Sequence, residues 1–233
     1  MSTVENVQNK LRTLADFEKA AILQRFFKTG KGQYGEGDIF LGIIVPNTRK
    51  IAKQFRDLPL SEIKKLLYSK IHEERLCTLL ILVEKYTMVN LEEKEKIFDF
   101  YIKHAKQINN WDLVDLSAPK IVGEYLMKKD KKILYDFVVS KNLWEKRIAI
   151  IATFTFIKNK KYTDTCKIAE ILLNDTHDLI HKAVGWMLRE MGKRDMKVEE
   201  TFLKKHYKKM PRTMLRYAIE KFPEEKRLMY LKK

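Results

Sequence analysis

The sequence is poor in the residues that break or staple a chain. Five prolines and eight glycines punctuate 233 residues, and four of those glycines (Gly30, Gly32, Gly35, Gly37) fall in one stretch. With almost no hairpin signals elsewhere, the chain does not read as a β protein. Only two cysteines occur, Cys77 and Cys166, 89 residues apart and each inside an apolar pattern. That excludes a disulfide framework and suits a reducing compartment. Long apolar runs are missing too. The densest, Ile148 to Ile157, has ten residues including two threonines, well short of the ~18 needed to span a bilayer. The N-terminal MSTVENVQNKLRTLADFEKA mixes acids with bases and has no continuous apolar core, so it does not read as a signal peptide. A soluble, cytoplasmic protein is the expectation.

What is abundant is apolar material and positive charge. Hydrophobic residues make up 45% and aromatics 11% of the chain, enough for a sizeable core and too much for general disorder. Lys and Arg number 47 against 31 Asp and Glu, a formal net charge of +16. Such an excess argues against a neutral metabolic enzyme and for an anionic partner. It is also unevenly placed: residues 1–110 are net +5, residues 111–233 net +11.

Apolar residues recur at helical spacing almost throughout. The pattern predicts helices over 3–12, 16–28, 47–56, 60–69, 73–86, 91–106, 111–128, 131–139, 143–157, 163–173, 178–191, 197–209, 212–220 and 223–231. Asn47, Ser61, Asn110 and Thr176 are the expected start signals. The β-branched run IAIIATFTFI is taken as a buried helix because no partner strand exists for it. Helices of this length joined by short turns suggest an all-α solenoid of HEAT-like helix pairs, one domain over 1–233. The tryptophans Trp111, Trp144 and Trp186 stand 33 and 42 residues apart, which brackets two-helix repeat lengths.

Candidate chemistry is sparse. The segment GKGQYGEG (30–37) follows no strand and lacks a nucleotide-loop pattern; it reads as a mobile loop or a backbone contact to a phosphodiester. His177 and His181 are an i,i+4 pair, but no third ligand follows, so no metal site is expected. More informative is the helix 178–191. Its apolar face carries Leu179, Ile180, Ala183, Val184, Met187, Leu188 and Met191, while Lys182, Trp186, Arg189 and Lys193 form a separate stripe. Cations around an off-core tryptophan suit a nucleic-acid surface, and equally a contact between repeats with a solubilising rim. In NNWDLVD, Trp111 and Asp115 are i,i+4 and share a helical face. Asp112 suits the first turn, where the helix dipole favours an anion. Pro119 soon after predicts a kink, or a short turn capped anew by Ser117. Arg147 enters its helix where it becomes apolar all round, so it needs Asp115, Glu145 or a phosphate to neutralise it.

These residues carry a resemblance. FLGIIVPNTRKIAKQF (40–55), NNWDLVDLSAPKIVG (109–123), NLWEKRIAI (142–150) and HKAVGWMLREMGK (181–193) resemble the AlkD-like DNA alkylation repair family of HEAT-like-repeat DNA glycosylases. The resemblance spans most of the chain. It implies a concave basic groove laid on double-stranded DNA containing alkylated bases, and excision of cationic N3- and N7-alkylpurines. Asp115 would be the catalytic carboxylate, Trp111 and Trp186 the aromatic walls around the damaged deoxyribose, and Arg147 a backbone contact near the lesion. Arg189 would take a phosphate, with Lys182 and Lys193 beside it as DNA-binding cations. No metal, cofactor or covalent lysine is needed, and a monomer without an obligate protein partner or membrane contact is expected. The alternatives are a non-catalytic HEAT-like module that binds damaged or branched DNA, and a helical scaffold gripping a peptide.

Overall fold

The structure is a computed structural model that describes residues 3–232. Among them every regular element is helical; the one extended pairing is an isolated parallel bridge between Ile39 and Ile71. The chain divides into two compact units, 1–117 and 118–233.

The first unit holds α1 (Val4–Arg12), α2 (Phe17–Phe26), α3 (Val45–Gln54), α4 (Leu60–Leu67), α5 (His72–Met88), α6 (Leu91–Lys103) and nearly all of α7 (Trp111–Ala118). Its centre is α5, packed against α1, α3, α4 and α6. From His72 to Val83 every residue of α5 is buried, including His72, Glu73, Glu74 and Arg75. A helix that is almost entirely apolar from Leu76 to Val83 can only sit inside over that stretch, so the charged residues of its first turn are carried inside with it. By contrast α2 buries none of its residues. Two helices start earlier than the polar signals suggest. α3 begins at Val45 with Pro46 in its first turn, and α4 begins at Leu60 directly after Pro59. Proline pre-sets the entering φ, which displaces Asn47 and Ser61 from the capping role. Between α2 and α3 the Gly-rich segment forms turns, and the chain then makes a tight approach at Gly42. Its φ is +84°, and a Cβ there would lie 2.1 Å from the Asp16 carbonyl. Only glycine fits that position.

In the second unit the chain leaves α7 through a π-helical turn, Pro119–Gly123, and a short α8 (Glu124–Leu126). Pro119 has no N–H to give the Asp115 carbonyl, so the α ladder cannot continue unaltered. The Pro119 carbonyl instead accepts a 2.6 Å bond from Thr155 Oγ1. Ser117 does not recap the helix: its hydroxyl donates to the Leu113 carbonyl at 2.5 Å. Then follow α9 (Lys132–Val138), α10 (Leu143–Lys158), α11 (Thr163–Ile171), α12 (Asp178–Gly192), α13 (Met196–His206), α14 (Arg212–Ala218) and α15 (Glu224–Leu231). Alternate helices pack on one another, α10 on α12 and α12 on α14, with α9, α11 and α13 alongside. That i,i+2 layering is the pattern of stacked helix pairs. The IAIIATFTFI run is the interior of α10, where Ile148 to Thr153 are all buried. Asn142 caps it, accepting from the Trp144 and Glu145 amides. α12 is capped by the His177 ring, whose Nδ1 accepts from Leu179 N at 3.1 Å, rather than by Thr176.

Gly185 lets α12 and α14 close up: a Cβ there would meet the Met214 carbonyl at 2.4 Å and Tyr217 Cβ at 2.5 Å. The obstacle is backbone, which cannot swing aside. Gly185→Val should therefore destabilise by about 3 kcal/mol, the upper range for overpacking, and urea denaturation would measure it.

Candidate nucleic-acid site

In the first unit α7 presents Trp111 and Asp115 on one half-buried face, while Leu113, Val114 and Ser117 turn inward. The indole of Trp111 is fixed by α2 and the residue after it. It stacks flat on Phe27 (5.1 Å between centroids, 6° between planes) and meets Phe26 edge-on at 6.0 Å. Phe27 in turn stacks on Phe40 at 4.9 Å. Phe26, Phe27, Phe40, Ile44, Pro46 and Trp111 line a mostly apolar cavity of about 340 Å³, and Phe26 is 62% exposed at its mouth. The carboxylate of Asp115 is felt by the buried Tyr101 phenol. Burial pushes that phenol's pKa up, a hydrogen bond with Ser117 opposes this, and the negative charge of Asp115 adds to the rise.

Beneath Trp111 lies a chain of buried ionisable groups. His72 Nε2 is 2.8 Å from Asp112 Oδ2, and its Nδ1 is 3.2 Å from Asp38 Oδ2. Asp38 also accepts from Arg75 Nη2 at 2.6 Å and from Asn110 Nδ2 at 3.2 Å. Asn110 Oδ1 takes the Trp111 amide at 2.8 Å, so this residue does open α7. Burial opposes the charged form of Asp38, yet His72, Arg75 and Asn110 outweigh it and hold the carboxyl below its usual range. Burial also pulls the His72 imidazole down, but the charge and hydrogen bond of Asp112 and the bond to Asp38 win and raise it to about 9. Next to His72, Glu73 accepts from three successive backbone amides, Leu41 (2.9 Å), Gly42 (2.8 Å) and Ile43 (3.2 Å). Asp112 thus serves more than the helix dipole. The sequence signal for this cluster is the charged HEER at the head of an apolar helix, which sequence reasoning passed over.

In the second unit Arg147 is buried and its Nη1 donates to the Leu179 carbonyl at 2.5 Å. Glu145 turns to Ser140. Trp186 is half-buried with its ring 5.9 Å from Phe154. Over the Phe154 ring lie Lys158 Nζ at 4.6 Å and the Arg194 guanidinium at 5.7 Å, an aromatic and cationic group that the sequence reading did not single out. The other expected cations are each engaged with an acid of their own unit: Lys182 with Asp178 at 2.7 Å, Lys193 with Glu190 at 2.5 Å, and Arg189 with Glu220. His177 caps α12, and His181 Nε2 lies 2.5 Å from the Asp175 carbonyl. Among the described residues no group of three or more His, Cys, Asp or Glu is placed to hold a metal ion, and no helix is long and apolar enough to cross a membrane.

Helix pairs stacked in alternation, on a chain of net charge +16, define a protein of the helical-repeat class. The family described as DNA alkylation repair enzyme matches residues 7–222. The chain belongs to that family, and its role lies in the repair of alkylated DNA. A solved structure described as "Predicted DNA alkylation repair enzyme from Enterococcus faecalis" is similar at 18% identity, with a TM-score of 0.72 over 90% of this chain and 97% of that one. At that identity the likeness shows the fold. No curated protein matches.

Proposed function

We propose that the protein is a monofunctional DNA N-glycosylase that releases cationic N3- and N7-alkylpurines. The observation that carries the reading is the family match over 7–222 combined with Trp111 and Asp115 side by side on α7. An alkylated purine of this kind already bears positive charge. When its bond to C1′ breaks it leaves as a neutral base and needs no general acid. The sugar becomes an oxocarbenium ion, which a carboxylate and an aromatic face stabilise. Asp115 supplies the first and Trp111 the second. The same carboxylate orients the water that adds to C1′ and then loses a proton, leaving an abasic site. In the second unit Trp186 offers the DNA an aromatic face, Arg147 a contact to the phosphodiester backbone, and Arg189, Lys182 and Lys193 charge for phosphates. To serve the DNA these last three must exchange their present carboxylate partners for phosphates; for the exposed Lys182–Asp178 pair the exchange costs little, whereas Arg189 and Glu190 are largely buried and hold their partners more firmly.

Incubating duplex that contains 7-methylguanine with the protein tests the reading. Release of free 7-methylguanine is expected. Duplex affinity should also fall by roughly one power of salt concentration for each phosphate contact. Salt-sensitive binding to abasic or branched duplex with no base release would favour the non-catalytic module instead.

A further inference from the structure

The buried ionisable chain beneath Trp111 has no role in the chemistry above. Its cost makes that notable: two aspartates, an arginine and a histidine are each at most 6% exposed, and burying charges is unfavourable unless they are paired and hydrogen-bonded. The chain also has a direction. It starts at Asp38, which is tied to the head of α5 by Arg75 and by the short Ile39–Ile71 bridge, where the His72 amide donates to the Ile39 carbonyl at 2.8 Å. It passes through His72 and ends at Asp112, the second residue of α7. Asn110, the residue that opens α7, hangs from the same Asp38 carboxylate. The imidazole also packs in a cluster with two rings, Phe40 stacked at 4.4 Å and Phe27 tilted at 5.0 Å, and Phe27 is the ring on which Trp111 lies. Through both the polar chain and the ring stack, His72 therefore touches what sets the first turn of α7.

We propose that His72 is a positioning residue: by bridging Asp38 and Asp112 it fixes the start of α7, and so aims Trp111 and Asp115. This rests on the reading of α7 as the catalytic helix. With both ring nitrogens facing carboxylates, the bridge is complete only while the imidazole carries two protons, since a neutral ring donates through one nitrogen alone. The charged groups around it are Asp38, Arg75 and Asp112; Glu73, its chain neighbour, is turned to the 41–43 amides. The folded imidazole holds its proton up to about 9, against 6.5 for the ordinary ring. The bridge is thus whole at neutral pH and is lost as pH rises through the folded value.

Two measurements on the full chain test this. In the first, 5-fluorotryptophan is incorporated and the fluorine signal of Trp111, identified with Trp111→Phe, is followed from neutral to alkaline pH. It should shift with a midpoint near 9 in the wild type and stay flat in His72→Gln. In the second, single-turnover base release at neutral pH should slow about tenfold to a hundredfold in His72→Gln, the scale of a misplaced reacting group. Duplex Kd should be unchanged. A Trp111 signal that does not titrate in the wild type, or titrates identically in the variant, overturns the proposal. So does a rate equal to wild type in a folded variant. If the wild type releases no base, the glycosylase reading falls by itself, and the fluorine titration still decides whether His72 sets α7.

Discussion

Asp115→Asn is expected to slow release of 7-methylguanine from duplex DNA at least tenfold, and about 10²-fold if its charge acts at the scale of other preorganised electrostatic groups. Asparagine keeps the shape of the side chain and removes its charge, so the loss isolates the electrostatic contribution. Asp115 is half-buried at the level of Ser117 and Tyr101, where a carboxylate acts in a medium less screening than water. Duplex affinity should change little, because the undamaged backbone makes no use of this charge. A melting curve close to wild type would separate the chemical effect from a folding one. Equal base release by the two proteins would remove Asp115 from the mechanism.

The largest effect on stability is expected from Glu73→Ala. The glutamate is 1% exposed, and its two oxygens take the amides of Leu41, Gly42 and Ile43. Alanine leaves three N–H groups without their acceptor, two of them on the buried residues Gly42 and Ile43. At about 1–3 kcal/mol for each unsatisfied buried group, with partial relaxation, the loss should reach roughly 3–5 kcal/mol. For a chain of this size that corresponds to a fall in Tm of about 10 °C, which scanning calorimetry would measure. Glu73→Gln keeps one acceptor oxygen and should lose less than half as much. A melting point within about 2 °C of wild type for the alanine variant, under 1 kcal/mol on that scale, would show that water replaces the carboxylate.

Much of the fold was legible because helical periodicity is a local property. The apolar run at Ile148–Ile157 could bury itself only as a helix once no strand partner existed, and α10 is that helix. The separation of Met187, Leu188 and Met191 from Lys182, Trp186 and Lys193 on α12 was equally visible, since both stripes lie within one element. Helix starts were less so. Asn47 and Ser61 are good caps by residue type, yet Pro46 and Pro59 begin α3 and α4 ahead of them. The greater gap concerns Asp112. Its favourable place in the first turn was readable, whereas its bond to His72, forty residues earlier, was not. Periodicity records which way a side chain faces and is silent on which charged partner waits there. The same holds for Arg189, whose partner Glu220 lies on the far side of α13 in sequence, whereas the acids that engage Lys182 and Lys193 stand one helical turn before them.

The π turn at Pro119–Gly123 carries a consequence for comparing this chain with its relatives. A π turn holds about one residue more than an α turn. A relative that lacks Pro119 can span the same stretch with one residue fewer and still present its counterparts of Trp111 and Asp115 unchanged, since both precede the bulge. In an alignment that difference would appear as a gap in the middle of a helix, where gaps are usually penalised as errors. Here it would mark a genuine change of winding, and an alignment forced to close it would rotate every later residue of that helix by about 100°.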